Sequence, residues 1–214
     1  MHKLKSIFLS VISILMLILI NPLPVSANST FTPSELIEIV NPYILETVRS
    51  YELKNESELI SKIGSENVAS LKIYLIEASK EKAALLRRDA VLDIHITVLR
   101  LAGATVDRYW WGTKIKTETR QVAINVRNLA NGFSGTAGTL GMTAALIAAG
   151  ISFIPGLGTP ATIAGVVIGI TSWADSTTWS NVSMLVANKI DLYQYKLTID
   201  INKWVMDVQV YRHD

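Results

Sequence analysis

The sequence predicts an α+β fold: N-terminal amphipathic helices, a central hydrophobic helical hairpin, and a small antiparallel β-sheet that includes a C-terminal β-hairpin. Three observations predict it. Apolar residues recur at helical spacing behind a capped start at Thr32. A stretch of 47 residues, Asn128 to Ala174, holds no Asp, Glu, Lys or Arg and is interrupted by Pro155-Gly156. Tyr193 to Tyr211 alternates apolar and polar positions about a central turn.

The first element is an export signal over 1–27. His2, Lys3 and Lys5 form a basic start, Ile7 to Ile20 is apolar, and Val25-Ser26-Ala27 supplies small residues for cleavage. The expected location is therefore secreted, or the cell envelope. Of the 20 basic residues the signal holds two and no acid, so the remainder carries 18 of each sign. That balance leaves no basic stripe for nucleic acid, which is not an expected partner.

Residues 28–105 read as a helical region. Thr32-Pro33-Ser34-Glu35 combines a hydroxyl cap, proline at the first helical position and an acid in the first turn. Leu36, Ile37, Val40, Ile44, Leu45 and Val48 continue at helical spacing, with Pro42 set to kink or split the helix. A short helix over Glu56 to Ile63 stops at Gly64, and a longer one starts at Ser65. Val91 to Leu101 is β-branched enough to suit either a helix end or a strand.

Residues 106–214 hold the uncharged hairpin (133–174) and its flanking strands. Tyr109-Trp110-Trp111-Gly112 leads into Thr113, Ile115 and Thr117 alternating with lysines, which predicts a strand with a bulge at Gly112. The first apolar arm, Phe133 to Phe153, has 21 residues, about 31 Å as a helix. That length crosses a ~30 Å hydrocarbon core. The second arm, Ala161 to Ala174, has 14 residues, about 21 Å as a helix. Small residues repeat every fourth position, Ala137, Gly141, Ala145 and Ala149 in one arm and Ala161, Gly165 and Gly169 in the other. That spacing predicts a close-packed or oligomerising helix contact around the Pro155-Gly156 bend. Trp173 and Trp179 follow the second arm as interfacial anchors would. Trp110 and Trp111 read either as a membrane-interface or ligand-stacking platform, or as one ring packed under the sheet with the other half exposed. At the C-terminus, a two-residue turn at Asn202-Lys203 pairs Ile201 with Trp204, Ile199 with Met206 and Leu197 with Val208. The Trp111 strand or Met184 to Ala187 is the expected partner of this hairpin.

No catalytic constellation emerges, so no enzyme activity, cofactor or metal is expected. The chain has no cysteine, which removes disulfides and thiolate ligands. His95 reads as a surface or partly buried polar residue, because Asp89, Asp93 and His95 do not converge on any one face. Ser134 lacks a nucleophile elbow, and Gly156-Leu157-Gly158 lacks the third glycine of a dinucleotide loop.

The Tyr109-Trp110-Trp111-Gly112 strand and the uncharged Gly/Ala hairpin, over residues 107–190, resemble small exported Gram-positive proteins, some of them bacteriocin-like. In layout alone, a hydrophobic hairpin among amphipathic helices resembles the pore-forming colicins, from which the C-terminal β-hairpin departs. No residue-level motif carries a function across. The ion-free arms point to a secreted, membrane-active protein, bacteriocin-like or pore-forming, that inserts the hairpin as transmembrane helices into a lipid bilayer. Its partners would be a lipid bilayer, further copies meeting through the hairpin, or an unidentified protein. The alternative is an anchored envelope protein, or an exported domain with the hairpin permanently buried.

Overall fold

The computed structural model describes residues 31–86, 94–155, 157–169 and 176–214; the expected signal over 1–27, Gly156 and Trp173 lie outside them. The fold is α+β, with eight α-helices among the described residues and two antiparallel sheets of two and four strands.

Helix α1 (Pro33–Val40) starts as its sequence dictates. The Thr32 side chain accepts from the Glu35 amide, and the Thr32 amide donates to the Glu35 carboxylate at 2.7 Å. This reciprocal pair satisfies two otherwise orphaned donors and holds the Glu35 carboxyl below its usual pKa. The helix does not continue to Val48. Pro42 falls in a 3-10 turn, Asn41–Tyr43, and the chain then extends into β1 (Ile44–Glu46), which pairs with β2 (Tyr51–Leu53). A proline two residues beyond the last helical position has no amide to continue the ladder.

Helix α2 (Glu56–Ile63) ends at Gly64, and α3 (Ser65–Leu86) follows. The segment left open between helix and strand is helical where it is described: α4 spans Ile94–Leu101. Its β-branched residues are tolerated because Ile94, Ile96, Val98 and Leu99 are all buried, so packing overrides propensity.

The four-stranded sheet runs β3 (Thr105–Tyr109), β4 (Gly112–Thr117), β5 (Leu197–Asn202), β6 (Asp207–Arg212), each antiparallel to its neighbour. Thr113, Ile115 and Thr117 alternate in β4 as expected. The Trp pair, however, lies in the two-residue turn of a hairpin rather than in a bulged strand, since Tyr109 pairs with Gly112. Glycine is required there: a Cβ would lie 2.0 Å from the Ile201 carbonyl oxygen. At the C-terminus Ile201 pairs with Val208 and Ile199 with Val210, closed by a four-residue loop, Lys203 to Met206. A two-residue turn favours glycine at its second position, and lysine stands there. The Asn202 side chain instead accepts from the Trp204 and Val205 amides at 3.0 and 3.2 Å. The register slips by an even number, so the same side chains keep the apolar face.

Helices α5 (Arg120–Phe133) and α8 (Ser176–Asp191) pack together and on the sheet, and α8 includes the stretch Met184 to Ala187 that was one expected strand partner. Helices α6 (Gly138–Ala148) and α7 (Pro160–Gly169) pack on each other and on α5. The main core therefore has three layers: sheet, α5 with α8, and α6 with α7. A second core holds Leu36, Leu59, Leu71 and Leu75 of the N-terminal helices, closed by Trp110, Trp111 and Trp204. Both hairpin turns at one end of the sheet thus feed tryptophans into the N-terminal helices.

The transmembrane expectation is overturned. Among the described residues no helix is long and apolar enough to cross a membrane, and the pore-forming reading falls with it. The two apolar helices have 11 and 10 residues, about 16 and 15 Å long. The first arm splits because α5 runs through Phe133, and Gly135 and Gly138 adopt positive φ before α6 starts. It ends early because Gly150, at φ 77°, closes a Schellman motif. The Ile151 amide reaches the Leu146 carbonyl at 2.9 Å, and the Gly150 amide reaches Ile147 at 2.9 Å.

Candidate functional site: an uncharged outer layer

The α6–α7 layer is built from residues that are apolar on both sides. Its inner face buries Met142, Ala145 and Leu146 of α6 and Ile163, Ala164 and Val167 of α7. Its outer face shows Leu140 at 87%, Ile147 at 62% and Phe153 at 61% exposure, beside exposed Ala144, Ala148, Ala161 and Gly165. A surface helix normally presents charge to water; here the outward residues are apolar, small or hydroxylic. The bend between the helices is anchored by buried Ile151 and Ile154, and the Ile154 and Gly158 backbones exchange hydrogen bonds of 3.1 and 2.9 Å. Pro155 projects outward from it.

The small-residue ladder is distributed unevenly over this layer. Ala145 is buried, while Ala137, Gly141 and Ala149 are half-buried. Gly165 is exposed with open space where a Cβ would stand, and Ala161 is exposed too. A Cβ at Gly141 would meet Ala137 of its own helix turn, 2.5 Å away. Gly169 is the last residue of α7. The tight interhelical approach falls instead at Gly132, where a Cβ would sit 2.2 Å from the Met142 sulfur. Gly132 lies next to Phe133 at the end of an amphipathic run, and its spacing from the ladder, five residues before Ala137, gave no signal of this contact.

Of the aromatic residues expected at an interface, the three described ones are inside. Trp179 is fully buried, and Trp110 and Trp111 are 5% and 6% exposed. Trp110 donates from Nε1 to Asn41 Oδ1 at 2.9 Å, and Trp111 stacks on Tyr109 with ring centroids 5.0 Å apart.

His95 is also buried, against the surface reading of its sequence context. Its ring sits edge-on to Phe133 at 4.6 Å and nearly parallel to Trp179 at 6.1 Å. It hydrogen-bonds to the Val167 backbone and so ties α4 to the outer layer. Burial lowers its pKa from 6.5 to about 4, against a smaller upward pull from the Val167 bond. The ring is thus neutral at ordinary pH. No group of three or more potential metal ligands occurs among the described residues.

Compared with known proteins, the chain matches no family model, no curated protein and no solved structure. The site must therefore be read from its own chemistry.

Proposed function

We propose that this chain is an exported, non-enzymatic protein that attaches to lipid surfaces through the outward face of α6 and α7, lying in the interfacial zone without spanning it. The observation that carries the reading is the outer layer itself, apolar on both faces and drawn from 47 consecutive residues without an ionisable side chain. Bringing that face to the acyl boundary desolvates no ion, which avoids a cost of about 2.5 kcal/mol or more per charge. Short helices suit this placement, since an interfacial helix need not match the bilayer thickness. The sequence of 1–27 supports export.

Co-sedimentation with neutral phosphatidylcholine vesicles tests the reading. The intact protein should partition into the vesicle pellet with little dependence on salt, because no charge on the layer contributes. Changing Leu140, Ile147 and Phe153 together to Ser should reduce partition by about tenfold or more, each large apolar side chain being worth about 1.5–3 kcal/mol when buried. A protein that stays in the supernatant, or a triple variant that partitions equally, sinks the proposal. A dimer in lipid-free buffer that the same variant abolishes assigns the face to a second copy instead.

A further inference from the structure

A cleft of about 680 Å³, counting its open mouth, lies where α3, the β1–β2 hairpin and the turns of the large sheet meet. It shares no residue with the uncharged outer layer. Small-molecule sites are of this size, mostly apolar, with a few placed polar groups. This lining has that composition. The rings of Tyr51, Tyr74, Tyr109 and Trp110 form much of it, and its charges are gathered into pairs.

Glu46 of β1 accepts from Lys82 of α3, and Glu81 of α3 accepts from Lys203 in the last hairpin loop, both at 2.5 Å. Arg108, the third cation of the lining, is engaged as well. A charged solute would have to break one of these contacts to gain a partner. An apolar solute would cover the pairs and leave their remaining donors and acceptors dry, which costs free energy. A carboxylate holding one lysine keeps further lone pairs, and an ammonium holding one carboxylate keeps two N–H groups. Each pair therefore offers an acceptor and a donor side by side. The carboxylate side chains of Glu46 and Glu81 lie toward water, 66% and 43% exposed, and their lysines lie deeper, 19% and 22% exposed.

The rings are held before any ligand arrives. Tyr109 stacks parallel on Trp111, with centroids 5.0 Å apart, and is still 41% exposed. Trp110 is fixed by its bond to Asn41, and the Lys82 ammonium lies 4.4 Å from the centre of the Tyr51 ring. The Lys203 amide donates to the Trp111 carbonyl at 2.9 Å, which ties together the two hairpin ends that form one wall. A preformed wall loses little freedom on binding. An exposed aromatic ring such as Tyr109 offers apolar area to the C–H face of a pyranose.

We infer that this cleft binds an uncharged sugar, a single pyranose or the end of a neutral glycan, stacked on Tyr109 with its hydroxyls bridging the Glu46–Lys82 and Glu81–Lys203 pairs. Each sugar hydroxyl donates and accepts at once, and so matches paired acceptors and donors better than an ion of either sign. The site is independent of the lipid-attachment face, and neither reading needs the other.

Titration of the intact protein with methyl β-D-glucoside, followed by backbone amide resonances, tests this. Saturable shifts are expected at Tyr109, Lys82 and Lys203. Tyr109→Ala should weaken the glucoside by about three- to tenfold, the worth of one aromatic stack. Glu46→Gln leaves Lys82 without its carboxylate, so glucuronate, the weaker ligand of the parent, should bind this variant more tightly than the glucoside does. Both side chains are well exposed, and melting temperatures near that of the parent are expected for the two variants. Shifts that never saturate, binding unchanged in Tyr109→Ala, or a parent that prefers glucuronate, glucosamine or a neutral dipeptide amide to the glucoside would overturn the inference.

Discussion

Helices α3 and α6 both turn large apolar side chains to water, and they differ in what surrounds them. On α3, Ile73 and Ile76 are 56% and 57% exposed. Around them Lys72 pairs with Glu56 and Lys80 with Glu77. On α6, Leu140 and Ile147 are at least as exposed, and the helix holds no ionisable residue. A single isoleucine in a charged field is ordinary protein surface. The same side chain in a contiguous uncharged layer marks an interaction face. Exposure alone therefore says little; the neighbours decide what an exposed side chain is for.

The comparison is broken most strongly from beneath the layer. Leu146 is fully buried on the inner face of α6, and Leu146→Ala should cost about 2–5 kcal/mol. Leu140 is the most exposed large side chain on the same helix, and Leu140→Ala should change stability by less than about 0.5 kcal/mol. Urea denaturation measures both; equal losses would remove the distinction between the two faces.

Next in size is the effect of acid, which acts through His95, buried beneath the outer layer. The folded state keeps His95 neutral, so the unfolded chain takes up its proton first and stability declines as pH falls. The His95 contribution is whole above 6.5 and is lost progressively down to about 4. The full shift corresponds to about 3 kcal/mol. Denaturation midpoints recorded across that window should fall for the parent protein and flatten for His95→Leu. A parallel decline in the variant would assign the acid sensitivity to other groups.

Smaller effects sharpen the comparison at helix ends. Helix α6 ends on Gly150 at φ 77°, whereas α8 reaches Tyr193 at φ 58° in the same kind of stop. The Gln194 amide reaches the Lys189 carbonyl at 2.9 Å there. A side chain in the left-handed region costs about 1 kcal/mol. Gly150→Ala should lose about that much, and Tyr193→Gly should gain a similar amount, since Tyr193 is 83% exposed and packs on little. Thermal melts check the two signs. Smallest of all, Ile73→Ser with Ile76→Ser should leave vesicle partition unchanged; a loss comparable to that of the outer-layer variant would show that α3 is part of the attachment face.

Much of the architecture is legible in local chemistry. Thr32 to Glu35 announces α1, Gly64 separates two helices, and alternation in β4, β5 and β6 gives the apolar sheet face. What escapes is whatever distant packing decides. A Trp-Trp pair is a poor two-residue turn by composition, and only the N-terminal core that receives both rings explains it. The C-terminal register slips because Trp204 is drawn to that same core and Asn202 can cap the longer loop. The apolar arms read as long because no charge interrupts them. Gly135, Gly138 and Gly150, none of them in the small-residue ladder, are backbone stops, which the absence of charge does not reveal. For the candidate layer, absence of charge was visible in the sequence, but not that one face of it is buried.

The tryptophans on the two hairpin turns also set an order of events. The N-terminal helices are the earliest part of the chain, yet their core includes Trp204, well over a hundred residues downstream of Leu36. Contacts that distant in sequence form late and slowly. The N-terminal helices must therefore wait, their core unfinished, until Trp204 has been delivered.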